Sequence, residues 1–118
     1  MPDADIERDG RSAHLQEALS PTVFTLLLCG RSEGWQDAAI AKLADKYAGL
    51  LEIRQLGREG RAGVLVDKGE ALARLGLRAD TDAAQYLVRP DGYIAFRCAG
   101  CHLGAVDRLI ASWKPPLR

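Results

Sequence analysis

Apolar and polar positions change period several times along this chain, and each change marks an element. Thr22-Val23-Phe24-Thr25-Leu26-Leu27-Leu28-Cys29 is a nearly unbroken apolar run, the pattern of a central strand covered on both faces. Pro21 precedes it and Gly30 marks its end. Beyond the loop Arg31 to Gly34, Ala39, Ile40, Leu43, Ala44 and Tyr47 fall on one helical face, while Gln36, Asp37, Lys42, Asp45 and Lys46 face water. Gly49 is placed to end that helix in the left-handed conformation. Leu50 to Leu56 reads as a second strand, and the strand, helix, strand order implies a right-handed crossover with the two strands parallel.

The second half of the chain is shorter-stepped. A charged loop punctuated by Gly57, Gly60 and Gly63 leads to Val64-Leu65-Val66, a brief apolar segment. Ala71, Leu72 and Leu75 suggest a short helix ended by Gly76. Leu87-Val88-Arg89-Pro90-Asp91-Gly92-Tyr93-Ile94-Ala95-Phe96-Arg97 then reads as a β-hairpin. Pro90 presets φ in the turn, and Gly92 tolerates the positive φ that closes it. Tyr86, Val88, Tyr93 and Ala95 alternate with Leu87, Arg89, Ile94 and Phe96, so both strands carry side chains on two faces. Leu103, Val106, Ile110 and Trp113 form one apolar stripe on a closing helix that Lys114-Pro115-Pro116 ends.

Residues 1–20 read as a polar arm with one short helical turn, Ser12 acting as N-cap before Leu15, Ala18 and Leu19, and its first ten residues are expected to be loosely held. Residues 21–118 form the domain proper. At 118 residues and 47% hydrophobic content there is material for one core. Lysine plus arginine equals aspartate plus glutamate at 16 each, so no basic field draws in a phosphate backbone and nucleic acid is not an expected partner. The acidic start Met1-Pro2-Asp3-Ala4-Asp5-Ile6-Glu7 is unlike a secretory signal, and the run Val23 to Cys29 is too short to cross a bilayer. The expectation is a cytoplasmic protein with no membrane partner, its three cysteines reduced.

The order βαβ, short helix, antiparallel hairpin, last helix permits a small mixed sheet flanked by helices, an α/β arrangement of thioredoxin-like type. Gly10-Arg11-Ser12, Phe24-Thr25-Leu26-Leu27 and Leu87 to Arg97 together resemble the C-terminal domain of FAD-dependent aromatic-ring hydroxylases, which include phenol, 3-hydroxyphenylpropionate and polyketide hydroxylases. The resemblance spans about residues 9–114, and the hairpin is its most specific part. It implies a thioredoxin-like accessory domain that contributes to packing or subunit contacts, with self-association or a flavoprotein hydroxylase as the expected partner. Arg89, Pro90, Asp91, Gly92 and Arg97 are the motif positions, and they also read simply as turn and strand-edge residues. FAD belongs to the part of such enzymes not present here. The chain has neither a Gly-x-Gly-x-x-Gly after a strand nor the Gly-Asp-Ala segment that holds the ribityl chain. No cofactor, no catalytic residue and no activity in isolation are therefore expected of it.

Thiol chemistry is the alternative. A thioredoxin carries Cys-x-x-Cys where its first strand runs into a helix, so that the helix N-terminus stabilises a thiolate. The corresponding stretch Cys29-Gly30-Arg31-Ser32-Glu33-Gly34-Trp35 has one cysteine on the strand, and Asp80-Thr81-Asp82-Ala83-Ala84 lacks the partner proline. Cys29 reads as a small buried apolar residue. Cys98-Ala99-Gly100-Cys101-His102 matches the spacing of haem attachment, half a zinc site or a dithiol pair. Haem attachment requires export, and Met1 and His14 are the only other methionine or histidine. Zinc would need a fourth ligand from Cys29 or a carboxylate, and no metal site is expected. A thiol-disulfide oxidoreductase or redox sensor using Cys98 and Cys101, just before the closing helix, is the second reading. Its pair is expected at the opposite end of the fold from the thioredoxin site.

Overall fold

A computed structural model describes residues 5–8, 10–30, 35, 37–57, 64–67, 75, 83–100 and 103–113. Seven strands form one sheet: β1 (Asp5–Arg8), β2 (Arg11–His14), β3 (Phe24–Gly30), β4 (Leu51–Gly57), β5 (Val64–Asp67), β6 (Ala83–Val88) and β7 (Ile94–Ala99). Their order across the sheet is β2-β1-β5-β4-β3-β6-β7. The apolar run is central, as its continuous hydrophobicity requires: β3 pairs in parallel with β4 and antiparallel with β6. Helix α1 (Asp37–Lys46) makes the crossover between the parallel strands, and α2 (Gly104–Trp113) closes the chain.

Side-chain alternation divides the core into two layers. Leu26, Leu28, Leu51 and Leu87 meet Leu43 of α1, Tyr47 just beyond its end, and Val106 and Ile110 of α2 on one face. Leu27, Cys29, Leu56, Leu65, Tyr86 and Val88 occupy the other, beneath Leu15, Ala18 and Leu75. The two described helices thus share a face. Tyr47 pins them together, its hydroxyl donating to Asp107 Oδ1 at 2.6 Å and to the Asp107 carbonyl at 3.0 Å, with Lys46 Nζ 2.9 Å from the same Oδ1. Gly49 adopts φ +81°, and the Leu50 and Leu51 amides both donate to the Tyr47 carbonyl, turning α1 directly into β4.

Three local expectations change. Residues 5–8 are not loosely held: β1 and β2 form a hairpin, β1 pairs antiparallel with β5, and Ile6 is 1% exposed. The sequence hides this because the hairpin is an edge ribbon with one buried apolar residue among charges, too sparse a pattern for a period-two reading. Ser12 lies within β2, and the residue before the 3-10 turn Leu15–Ala18 is His14, whose amide donates to Glu17 Oε1 at 2.9 Å. Val64–Asp67 is a full strand, although a short one. Of the short helix expected around Ala71, Leu72 and Gly76, only Leu75 lies within the described residues, and it is buried. Trp113 closes α2 as expected, while Lys114-Pro115-Pro116 lies outside the described residues.

Candidate functional site

Arg89-Pro90-Asp91-Gly92 makes the β6–β7 connection with a set of local bonds. The Gly92 amide donates to the Arg89 carbonyl and the Arg89 amide to the Tyr93 carbonyl, each at 2.8 Å, and Gly92 sits at φ +88°, the geometry of a three-residue hairpin loop. Asp91 accepts from the Tyr93 amide at 3.0 Å and from Arg89 at 2.9 Å. The side chains of Arg89 and Asp91 thereby serve the turn. A bulge follows, with Leu87 opposite Phe96 but Val88 opposite Ile94, so Ile94 and Phe96 enter opposite core layers instead of sharing a face. Arg97 lies over the Tyr86 ring, 5.5 Å from its centroid.

The strand end where a thioredoxin keeps its reactive thiol is apolar here. Cys29 is 0% exposed within the layer of Leu27, Leu56 and Tyr86, and burial first, then the charge of Asp67, pushes its thiol well above the ordinary range. That thiol is poorly suited to form the nucleophilic thiolate. Trp35, between β3 and α1, is 4% exposed, and its Nε1 has no hydrogen-bond partner among the described residues. Among the described residues there is no cis peptide bond and no group of three or more acidic, cysteine or histidine side chains placed to hold a metal.

Cys98 is not at the opposite end. Gly30 pairs with Ala83, Ala84 pairs with Ala99, and the Gly100 amide donates to the Ala83 carbonyl at 2.8 Å. Two antiparallel reversals have returned the chain to the end at which β3 finishes. Leu28, Gln85 and Cys98 form one row across the sheet, two strand spacings or about 10 Å from β3 to β7. Cys98 is half-buried on the edge strand, and its Sγ lies 3.5 Å from the Ala99 carbonyl. Cys101 and His102 lie outside the described residues.

Gln85 is the residue that sequence reading overlooked. It is 0% exposed and its Nε2 donates to the Gly100 carbonyl at 3.3 Å. One signal was present: a lone amide within Ala83-Ala84-Gln85-Tyr86-Leu87-Val88, since a polar group inside a covered strand needs a bonded partner. Among the aromatic residues, Tyr86 and Trp35 are core, Phe96 is half-buried, and Tyr93 at the hairpin is 64% exposed.

A mixed sheet with a parallel βαβ unit, an antiparallel hairpin and a closing helix defines a thioredoxin-like fold, and solved structures agree. The pneumococcal exposed lipoprotein thioredoxin Etrx1 of Streptococcus pneumoniae superposes with a TM-score of 0.62 at 16% identity, covering 94% of this chain and 99% of its own. AhpC of Mycobacterium tuberculosis gives 0.62 at 16% identity, covering 97% and 94%.

Within that class the chain belongs to the family described as aromatic-ring hydroxylase, C-terminal, whose model matches residues 1–114. The flavin-dependent monooxygenase PieE, solved with FAD and substrate, is similar at 26% identity and a TM-score of 0.69, over 95% of this chain. The chain spans only 18% of the length of PieE. No curated protein sequence matches it.

Proposed function

We propose that this chain is a non-catalytic thioredoxin-like accessory module, which assembles with itself or with the body of a flavin-dependent aromatic hydroxylase. The observation that carries the reading is Cys29: the strand end that serves thiol chemistry in a thioredoxin holds a thiol with 0% exposure, closed in by apolar side chains. Family membership supplies the partner class, since PieE carries the similar segment as a small part of a monooxygenase. In this reading the flavin is held by the partner. The stretch Cys29-Gly30-Arg31-Ser32-Glu33-Gly34 departs from the glycine pattern that admits a pyrophosphate. The proposed location is the cytoplasm; among the described residues no helix is long and apolar enough to cross a membrane.

Native mass spectrometry of the chain, with a tagged pull-down whose eluate is read for flavin absorbance, tests the assembly role. Self-association or a co-eluting flavoprotein is expected, and neither appearing overturns it. A tightly bound flavin on the purified chain alone would also contradict the reading.

One observation favours a second reading, a thiol-disulfide oxidoreductase or redox sensor using Cys98 and Cys101. The strand register returns Cys98 to the end of the sheet where β3 finishes. That reading expects turnover in a disulfide-reduction assay, or at least a reversible disulfide, lost on Cys98→Ser or Cys101→Ser. A wild-type chain that neither turns over nor forms the disulfide eliminates it.

A further inference from the structure

Among the described residues the sheet ends in β2 on one side and β7 on the other. β2 is four residues long and includes Arg11 and His14, whereas β7 is Ile94-Ala95-Phe96-Arg97-Cys98-Ala99, with one charge and no proline. Short length, charge and proline are the devices that keep an edge strand from pairing, and β7 has little of them. Its bulge lies toward Ile94, so Phe96 to Ala99 stay in regular register. The Gly100 amide donates inward to the Ala83 carbonyl at 2.8 Å, while Cys98 and Phe96 stand opposite Gln85 and Leu87. Alternation along an antiparallel ladder then turns the backbone amides and carbonyls of Arg97 and Ala99 away from β6. Both residues are exposed.

We propose that β7 is the edge through which two copies of this chain associate, their β7 strands pairing antiparallel about a two-fold axis at Cys98. The inference rests on the assembly role proposed above and names the surface that serves it. Opposed residues of an antiparallel pair share a face, so the axis must pass through a residue that faces its own copy. An axis at Arg97 would set like charges against each other, and an axis at Phe96 would draw the bulged stretch into the new ladder. An axis at Cys98 does neither. It sets Arg97 opposite Ala99 of the second copy, whose small side chain leaves room for the arginine, and the outward groups of these residues exchange a pair of hydrogen bonds on each side of the axis. The Cys98 pair then occupies the non-hydrogen-bonded position, with Cα atoms about 4.5 Å apart, within reach of a disulfide. This pairing closes on itself, whereas β7 against β2 of another copy would continue without end. So short a ladder buries less than the roughly 1,200 Å² of a stable interface, so the dimer is weak and concentration-dependent.

Sedimentation equilibrium of the full chain under reductant, from micromolar to millimolar concentration, reads the dimer constant. Ala99→Glu places a carboxylate opposite Arg97 at both symmetric positions and is expected to tighten the dimer about fivefold, while Ala99→Lys is expected to weaken it about fivefold. Ala99 is exposed, so both variants keep the core intact. A dimer that responds to neither, or to both in the same direction, forms through another surface; that overturns the β7 edge and leaves the assembly role standing. A chain that is monomeric at every concentration also overturns the edge, and leaves a flavoprotein as the partner to seek. The axis is read separately in a chain whose only cysteine is Cys98, made by Cys29→Ala and Cys101→Ala. Mild oxidation at dimer-forming concentration is expected to give a covalent dimer by intact mass, and less of it when Ala99→Lys is added. A dimer that sediments but does not cross-link overturns the proposed pairing.

Discussion

Cys29 offers the sharpest test of the apolar strand end, because its ionisation links burial to stability. In the folded chain the thiol is buried and held protonated, its pKa raised by desolvation and then by Asp67; in the unfolded chain it titrates near the ordinary value of about 8.5. A raised folded-state pKa means that the stabilising contribution is fully present below the unfolded value. It is lost as pH rises above about 8.5, where only the unfolded chain releases the proton. The loss is about 1.4 kcal/mol per pH unit, hence about 2 kcal/mol at pH 10. Replacing Cys29 by alanine removes this dependence but deletes one buried sulfur, which costs about 1.4 kcal/mol at neutral pH by comparison with other small core truncations.

The two stability curves must therefore cross. Urea unfolding under reductant at intervals from pH 7 to pH 10 should find wild type the more stable at neutrality and Cys29→Ala the more stable above about pH 9.5. Parallel curves would mean that the thiol ionises in the folded chain as well. The strand end would then be accessible, and the argument for a non-catalytic module would lose its main support. Alkylation of the native chain at pH 8 gives the same answer by another route: Cys29 should remain unmodified while the half-buried Cys98 reacts.

Three other substitutions probe the scaffold. Ile6→Ala should cost about 2–5 kcal/mol in urea unfolding, because Ile6 is 1% exposed within the core; a cost below about 0.5 kcal/mol, the range of ordinary surface changes, would show that the N-terminal hairpin is not seated on the sheet. Gly92→Ala should cost about 1–2 kcal/mol from the φ of +88° alone, since an added Cβ meets nothing within 4 Å; an unchanged midpoint would refute the left-handed turn. Tyr47→Phe removes the hydroxyl bonded to Asp107 at 2.6 Å and should cost about 1–2 kcal/mol at neutral pH. The Tyr47 hydroxyl, then Lys46, holds the Asp107 carboxyl below the ordinary carboxylate range, so that contribution exists above about pH 4 and fades as acid protonates Asp107. The gap between wild type and Tyr47→Phe should narrow in acid, and a constant gap would show that the pin does not involve the carboxylate.

The elements that were legible in the sequence are those whose burial pattern is local. Phe24 to Cys29 is apolar at nearly every position because β3 is covered on both faces, and α1 shows its stripe because Leu43 is followed four residues later by Tyr47, in the turn that ends the helix. The turn at Arg89 to Gly92 was legible for the same reason, its bonds being made between residues two to four apart. What escaped depends on pairing between distant segments. Ile6 becomes core only because β1 finds β5 some sixty residues later, with Ile6 opposite Asp67. The phase change in β7 arises from a bulge, a defect of registration between two strands that each look regular alone.

The placement of Cys98 follows from directions that the sequence nearly specifies. A parallel crossover returns β4 to the direction of β3; β6, antiparallel to β3, reverses it; and the tight turn at Gly92 reverses it again, so β7 finishes where β3 does. The missing fact was that β6 pairs with β3 and not with β5, which would place the hairpin on the other side of the sheet. Once that partner is known, the row Leu28, Gln85, Cys98 follows, and the buried amide ceases to be an isolated oddity in an apolar strand.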